Sequence, residues 1–242
     1  MWFDQASYDV RFEWGVAAID ALAPVTDAFV IVDVLSFSTC VDVATAAGVV
    51  VIPVAAEDDG ALELARRLGA ELAGQRGAAR FTLSPAAMRG APRGTRVVLP
   101  SRNGGAACVR AHDHPTFTGC LRNARAVAAA AAAVGHRISV IAAGERWPAG
   151  ELRPCLEDLL GAGAIVTALP GRRSPEAKMA SHAFASVRSQ LLEVLRECAS
   201  GHELLERGDA ADVTIAAEFD VSGCAPRLEE GAFVDDAASN AG

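Results

Sequence analysis

The chain of 242 residues has a single lysine, Lys178, no Cys-x-x-Cys pair and no long apolar run. Its cations are therefore almost all arginines, which reflects, like the abundance of alanine, a bias of base composition rather than chemistry. The six cysteines (Cys40, Cys108, Cys120, Cys155, Cys198, Cys224) are scattered. That spacing argues against a disulfide framework or a cysteine zinc site and fits reduced thiols. The start Met1-Trp2-Phe3-Asp4-Gln5 lacks the basic and apolar regions of a signal peptide. The longest apolar stretch, around Ala124–Val134, is too short and alanine-rich to span a membrane. With a net charge of −8, the chain does not offer the basic face that nucleic acid or an anionic membrane requires. The expectation is a cytoplasmic protein with neither of those partners.

Familiar catalytic signatures are missing as well. There is no Gly-x-x-x-x-Gly-Lys-Ser/Thr loop, no Gly-x-Gly-x-x-Gly after a strand and no His-Glu-x-x-His. No Gly-x-Ser-x-Gly elbow occurs, and the five histidines form no evident triad. Nucleotide kinases, dinucleotide oxidoreductases, zinc proteases and esterases all lose ground.

What is present centres on residues 29–39, Phe-Val-Ile-Val-Asp-Val-Leu-Ser-Phe-Ser-Thr. An apolar, β-branched run of this kind fills a strand buried on both faces. Asp33 interrupts it, and Ser36, Ser38 and Thr39 precede a helix expected over 40–47. A carboxylate where a central strand ends, with hydroxyls at a helix start, is where open α/β sheets place ligands. The structural alternative makes Asp33 a solvated strand end and Ser38 or Thr39 an N-cap.

Further strands are expected over 8–14, 49–54, 70–73, 95–99, 116–118 and 138–142. Helices are expected over 15–22, 59–68, 106–111, 124–133, 156–169, 174–187, 190–198 and 200–208, with a short one at Ser84-Pro85 and an undecided segment over 212–218. The acids from Glu57 to Asp59 suit a helix N-terminus, Gly161 and Gly163 loosen their helix, His112-Asp113-His114 reads as a surface loop, and the tail from Asp235 reads as frayed. The alternation predicts one α/β domain over 1–242, a three-layer α/β/α fold with a mostly parallel, partly mixed central sheet. The alanine-rich faces of the later helices permit a homo-oligomer without specifying one.

Four strand-to-helix junctions carry polar residues that a plain connection does not need. They are Asp33 with Ser38 and Thr39; Arg102, Asn103 and Gly104; Arg122 and Asn123; and Glu145 and Arg146 with Glu157 and Asp158 downstream. In a parallel sheet such junctions share the carboxyl edge and converge on one crevice. The Gly104-Gly105 amides would approach an anion, and the arginines would grip phosphate, sulfonate or carboxylate. Asp33, Glu145, Glu157 and Asp158 supply the hard oxygens that Mg²⁺ takes. Each has a plainer reading: Asn-Gly-Gly is commonly a turn, and paired acids at a helix start offset the helix dipole.

In order along the chain, these motifs resemble the 2-phosphosulfolactate phosphatase family. The likeness rests on residues 30–35 with Ser38-Thr39, Gly74-x-Arg76, Ser84-Pro85, Asn103-Gly104 and Asn123-Ala124. It continues through residues 156–165 to Gly201, Leu204-Leu205, Gly208, Asp212 and Asp220. The resemblance implies Mg²⁺-dependent hydrolysis of a phosphate ester on a small anionic acid, giving 3-sulfolactate in the family's namesake step of coenzyme M synthesis. It implies Asp33, Glu157 and Asp158 as catalytic residues, and Asp33 and Asp158 as metal ligands. Phosphate and substrate would fall to Ser38, Thr39, Arg102, Asn103, Gly104, Arg122, Asn123, Glu145 and Arg146. This chain departs from the family's pattern at Ser36 (usually Arg), Gln75 (usually Glu), the altered stretch 80–85, and Arg102 and Gly105 (each usually Thr), with Arg102 offering from another direction the cation lost at Ser36. Leu35 removes the Asp-x-Asp spacing of one phospho-enzyme superfamily, so attack by water is the preferred expectation. The alternative to a phosphatase is a catalytically altered family member that binds or senses a small anion.

Overall fold

The structure, a computed structural model, describes residues 2–55 and 60–235. The acids Glu57, Asp58 and Asp59, and the polar tail after Asp235, lie outside the described residues. In chain order the strands are β1 (Val10–Trp14), β2 (Ala28–Val32), β3 (Val50–Val54), β4 (Glu71–Leu72), β5 (Arg96–Pro100), β6 (Thr116–Gly119) and β7 (Ile138–Ala142). The two-residue strands β8 (Glu145–Arg146) and β9 (Leu152–Arg153) pair with each other, and β10 (Pro226–Glu229) and β11 (Ala232–Asp235) form a terminal hairpin. The helices are α1 (Ala17–Leu22), α2 (Phe37–Ala46), α3 (Ala61–Leu68), α4 (Pro85–Met88), α5 (Gly104–Arg110) and α6 (Ala124–Val134). Then come α7 (Leu156–Ala168), α8 (Pro175–Val187), α9 (Leu191–Glu197), α10 (Ala199–Glu206) and α11 (Ala210–Ala216), which settles the undecided segment as helix.

One large sheet runs in the order β1-β7-β2-β6-β10-β11-β3-β5-β4, with helices on both faces, as the three-layer α/β reading expects. Strands β1, β7, β2 and β6 are parallel to one another, and so are β3, β5 and β4. Between the blocks stands the β10–β11 hairpin, antiparallel to both neighbours through Arg227 opposite Phe117 and Phe233 opposite Val51. Three successive antiparallel pairings leave the two blocks running in opposite senses.

The burial pattern explains how the blocks nevertheless meet. One face of β2, Val30 and Val32, packs with Val140 and Phe117 beneath α6, α7 and α8. The other face, Phe29 and Ile31, shares a core with Val51 of β3 and with Val97 and Leu99 of β5. Four strands separate β2 from β5 in the sheet order, so a shared core requires the sheet to curl, with α2 and α5 inside the curl. A smaller cluster of Ile52, Val54 and Val98 lies under α3.

Two local expectations are corrected. Helix α2 begins at Phe37, not at residue 40, because Asp33 upstream accepts the Phe37 N–H and so serves as its cap. Gly161 and Gly163 do not loosen α7. A Cβ at 161 would stand 2.5 Å from Val34 Cγ2, and one at 163 would stand 2.1 Å from the Ala180 carbonyl. These glycines let α7 lie close against both β2 and α8. The short helix at Ser84-Pro85 forms with Ser84 capping the Ala87 N–H, and all six cysteines are buried free thiols. Among the described residues no helix is long and apolar enough to cross a membrane.

Candidate active site

The carboxyl end of β2 runs directly into Asp33, which is only 5% exposed. Its Oδ1 accepts the Phe37 N–H at 3.1 Å, and its Oδ2 accepts the Gly104 N–H at 2.8 Å. One carboxylate thus holds the start of α2 and the start of α5. Only glycine fits at 104, since a Cβ there would lie 2.5 Å from the Phe37 ring and 2.8 Å from Asp33 Oδ2. The curl of the sheet is what delivers the β5 junction to the end of β2.

Asp158, in the first turn of α7, repeats the arrangement from the other side. Its Oδ1 accepts the Val34 N–H at 2.7 Å and its Oδ2 accepts the Gly144 N–H at 2.9 Å. It therefore ties the loop after β2 to the loop after β7. The β7 loop carries Glu145, whose Oε2 accepts from Asn103 Nδ2 at 2.9 Å. Glu157 is buried beside them. Three of the four junctions, those after β2, β5 and β7, therefore meet.

The electrostatics follow from burying these acids together. Burial drives the Asp33 carboxyl up to about 6, against the pull of the Gly104 and Phe37 amides and with help from the Glu157 charge. Asp158 is pushed well above the carboxylate range by burial, then by Asp33 and Glu157. Glu145 rises to about 7, from burial and the Asp33 charge, with the Asn103 amide opposing. Such a cluster is costly unless it holds protons or a cation. Among the described residues no three His, Cys, Asp or Glu side chains are gathered closely enough to hold a metal by themselves. The donors fit a hard cation of the Mg²⁺ type, which takes one or two carboxylates and completes its shell with water and substrate oxygens. They do not form an all-protein cage.

The remaining candidates are placed as follows. Ser38 and Thr39 are fully buried. Ser38 Oγ accepts the Asp33 N–H and meets Thr118 Oγ1 at 2.7 Å, while Thr39 Oγ1 donates to the Val34 carbonyl at 2.7 Å. Their hydroxyls are spent inside the fold because α2 starts three residues before position 40. The Gly104 amide is likewise committed, to Asp33. Arg122 turns away: its Nε donates to Asp42 Oδ2 at 2.7 Å and it pairs with Glu218. Asn123 is buried and its Oδ1 accepts the Cys120 N–H at 2.9 Å. Arg102 and Arg146 are exposed, with Arg146 Nη2 donating to the Arg102 carbonyl at 3.4 Å.

Of the departures from the family pattern, Ser36 is buried, Gln75 is exposed, and Gly105 lies against the Val54 carbonyl. His112 and Asp113 form an exposed pair at 3.2 Å.

Sequence reasoning missed the wall of the site. A pocket of about 200 Å³ is lined by Asn103, Glu145 and Arg146 together with Trp14, Val16 and Leu152. The signal was available at Trp14-Gly15, which is also a strand-to-helix junction, but its residues are apolar and attract no notice as chemistry. Leu152 belongs to the β8–β9 hairpin, whose two-residue strands are too short for a periodicity to register.

The chain matches the family described as 2-phosphosulpholactate phosphatase over residues 18–231. It is also similar to a 2-phosphosulfolactate phosphatase of Methanothermobacter thermautotrophicus, 29% identical over 208 residues, covering 84% of this chain and 87% of that protein.

Proposed function

From the premise that the chain belongs to the 2-phosphosulpholactate phosphatase family, we propose that it is a Mg²⁺-dependent phosphatase acting on the phosphate ester of a small anionic acid. The observation that carries the reading is the pair Asp33 and Asp158, buried and held by backbone amides, with buried Glu157 and half-buried Glu145 close by and Glu145 lining a small pocket. Asp33 and Asp158 would hold the ion through the oxygen lone pairs that their amide partners leave free. Bound Mg²⁺ supplies charge neutralisation for the phosphoryl oxygens.

The chain's own groups do the rest. Asp33 is fixed by two amides and cannot swing away, so it stays aimed as a ligand and as a proton acceptor for the attacking water. Glu145, at about 7, changes protonation near neutrality, and Asn103 fixes the direction in which it takes or gives a proton. Glu157 adds charge behind both. Arg146 and Arg102 stand at the rim, where a guanidinium meets a substrate carboxylate.

The test is phosphate release from a panel of small phospho-acids, first with Mg²⁺ and then with excess chelator. Turnover that disappears with chelator and returns with Mg²⁺ is expected; no metal-dependent turnover on any of them would sink the reading. A second reading, a small-anion binder without catalysis, is favoured by one observation: Arg122 is held by Asp42 and Glu218 and brings no cation to the carboxylates. It predicts thermal stabilisation by phospho-acids with no hydrolysis.

A further inference from the structure

Strand β1 stands at the edge of the large sheet, and an open edge is where another chain can add a strand. Here the edge is closed from within. Residues 172–174 bond to Val10, and the Gln5 amide covers Phe12, donating to its carbonyl at 3.0 Å and accepting its N–H at 3.4 Å. A contact on this side must therefore be made by side chains. Between the strand and α8 runs a groove of about 480 Å³ whose lining includes Phe12, Trp14, Leu159 and Met179, with Glu13 and Glu176 and no basic residue. Met179 is 66% exposed, so most of its thioether chain faces water. The Glu13 carboxylate accepts from the Gln5 amide and the Trp14 N–H, and among the described residues neither Glu13 nor Glu176 has an ion-pair partner.

The β8–β9 hairpin carries the complement. Trp147 is 54% exposed, unusual for an indole, and Arg153 lies over its ring at 5.8 Å. Of the other charges on the hairpin, Glu145 is held by Asn103, Arg146 donates to the Arg102 carbonyl, and Glu151 is exposed at the turn. Arg153 stands across the hairpin from Glu145, on which its charge also acts. Leu152 lies against Gly15 and Gly144, while Trp147 takes no part in lining its own chain's groove.

We propose that this groove receives the Trp147 and Arg153 side chains of a second copy of this chain. The indole covers Phe12, Trp14 and Met179, and the guanidinium meets Glu13 and Glu176. Because each copy carries both hairpin and groove, a two-fold axis makes both contacts at once and the assembly closes as a dimer. Aromatic, Met and Arg side chains are those that interfaces concentrate, with Trp and Arg the usual anchors. The two acids favour an apolar anchor that brings its own cation, as Trp147 does, over a bare apolar segment. The assignment does not depend on the phosphatase reading, although the hairpin that it fixes begins at Glu145.

Sedimentation velocity on the full chain tests this. A reversible dimer, twice the 25.0 kDa chain, is expected, its share growing with concentration. Trp147→Ala and Met179→Arg, both at exposed positions, should each raise the dimer dissociation constant by about tenfold or more, with unchanged circular dichroism. Either variant alone has no intact contact of hairpin with groove. Mixed, they pair the unaltered hairpin of one copy with the unaltered groove of the other, so the mixture should associate more tightly than either variant by itself. A monomer at every concentration overturns the proposal. So does a dimer that either substitution leaves intact, or a mixture that associates no better than its parts.

Discussion

Asp33 and Arg122 show how far apart two residues of equal promise in the sequence can end. Both stand at strand-to-helix junctions, and both have the chemistry of a phosphate site. Asp33 keeps its carboxylate among other acids beside a pocket, braced by the Gly104 and Phe37 amides. Arg122 is used up in the fold, because Asp42 on α2 is fully buried and needs a cation. Burial raises the Asp42 carboxyl, and hydrogen bonds from Ser222 and Arg122 pull it back. Removing the guanidinium would leave Asp42 without its charge partner, and breaking a buried pair in this way costs roughly 3–5 kcal/mol. Arg122→Ala is therefore expected to lower the urea midpoint markedly while leaving KM for a phospho-acid within about twofold. Equilibrium unfolding alongside steady-state kinetics checks this; an intact midpoint with a large rise in KM would return Arg122 to the substrate.

At the scale of elements, the sequence discloses what periodicity and β-branched runs can carry. The buried run of β2, the α/β alternation and most helix boundaries were legible within a few residues, as were the acids at the start of α7. The terminal hairpin was not. Its strands hold four residues each, only Phe233 is fully buried on β11, and the turn is Glu230-Gly231, a weaker signal than Asn-Gly. With the hairpin went the direction of the second parallel block, and so the reason the β5 junction reaches Asp33: curl of the sheet, which no local pattern reports. The hairpin is also mechanically tied to the site. Phe233 packs edge-on to Phe37 at 6.3 Å, and the Phe37 amide holds Asp33. Phe233→Ala is expected to cost about 3–5 kcal/mol, as for other fully buried phenylalanines. The loss should appear as one cooperative transition in chemical denaturation, because β11 joins both halves of the sheet. A separate early transition would instead mean that the hairpin melts alone.

For the whole molecule, the buried acids make stability depend on pH in an unusual direction. Asp33 and Glu145 titrate near 6 and 7 in the folded protein, above ordinary carboxyls, and Asp158 is also raised. Between about pH 4 and 7 the folded state therefore holds protons that the unfolded chain has released, so stability falls as pH rises through this window. Asp27, lowered to about 2 chiefly by its hydrogen bond from Arg137, acts in the opposite sense but only in acid well below the window. In chelator, the melting temperature is expected to drop on going from about pH 5 to about pH 8, by on the order of 5 °C. Asp33→Asn should flatten that slope, since an amide cannot lose the proton. The deprotonated cluster is also what a divalent cation would bind, in competition with protons. Millimolar-range Mg²⁺ should therefore raise the melting temperature near pH 8 and do little near pH 5. Calorimetric scans across pH, with and without Mg²⁺, separate the two effects. A slope in chelator that Mg²⁺ leaves untouched would mean that protons alone neutralise the acids. A flat profile in chelator would mean that they are not buried together as charges at all.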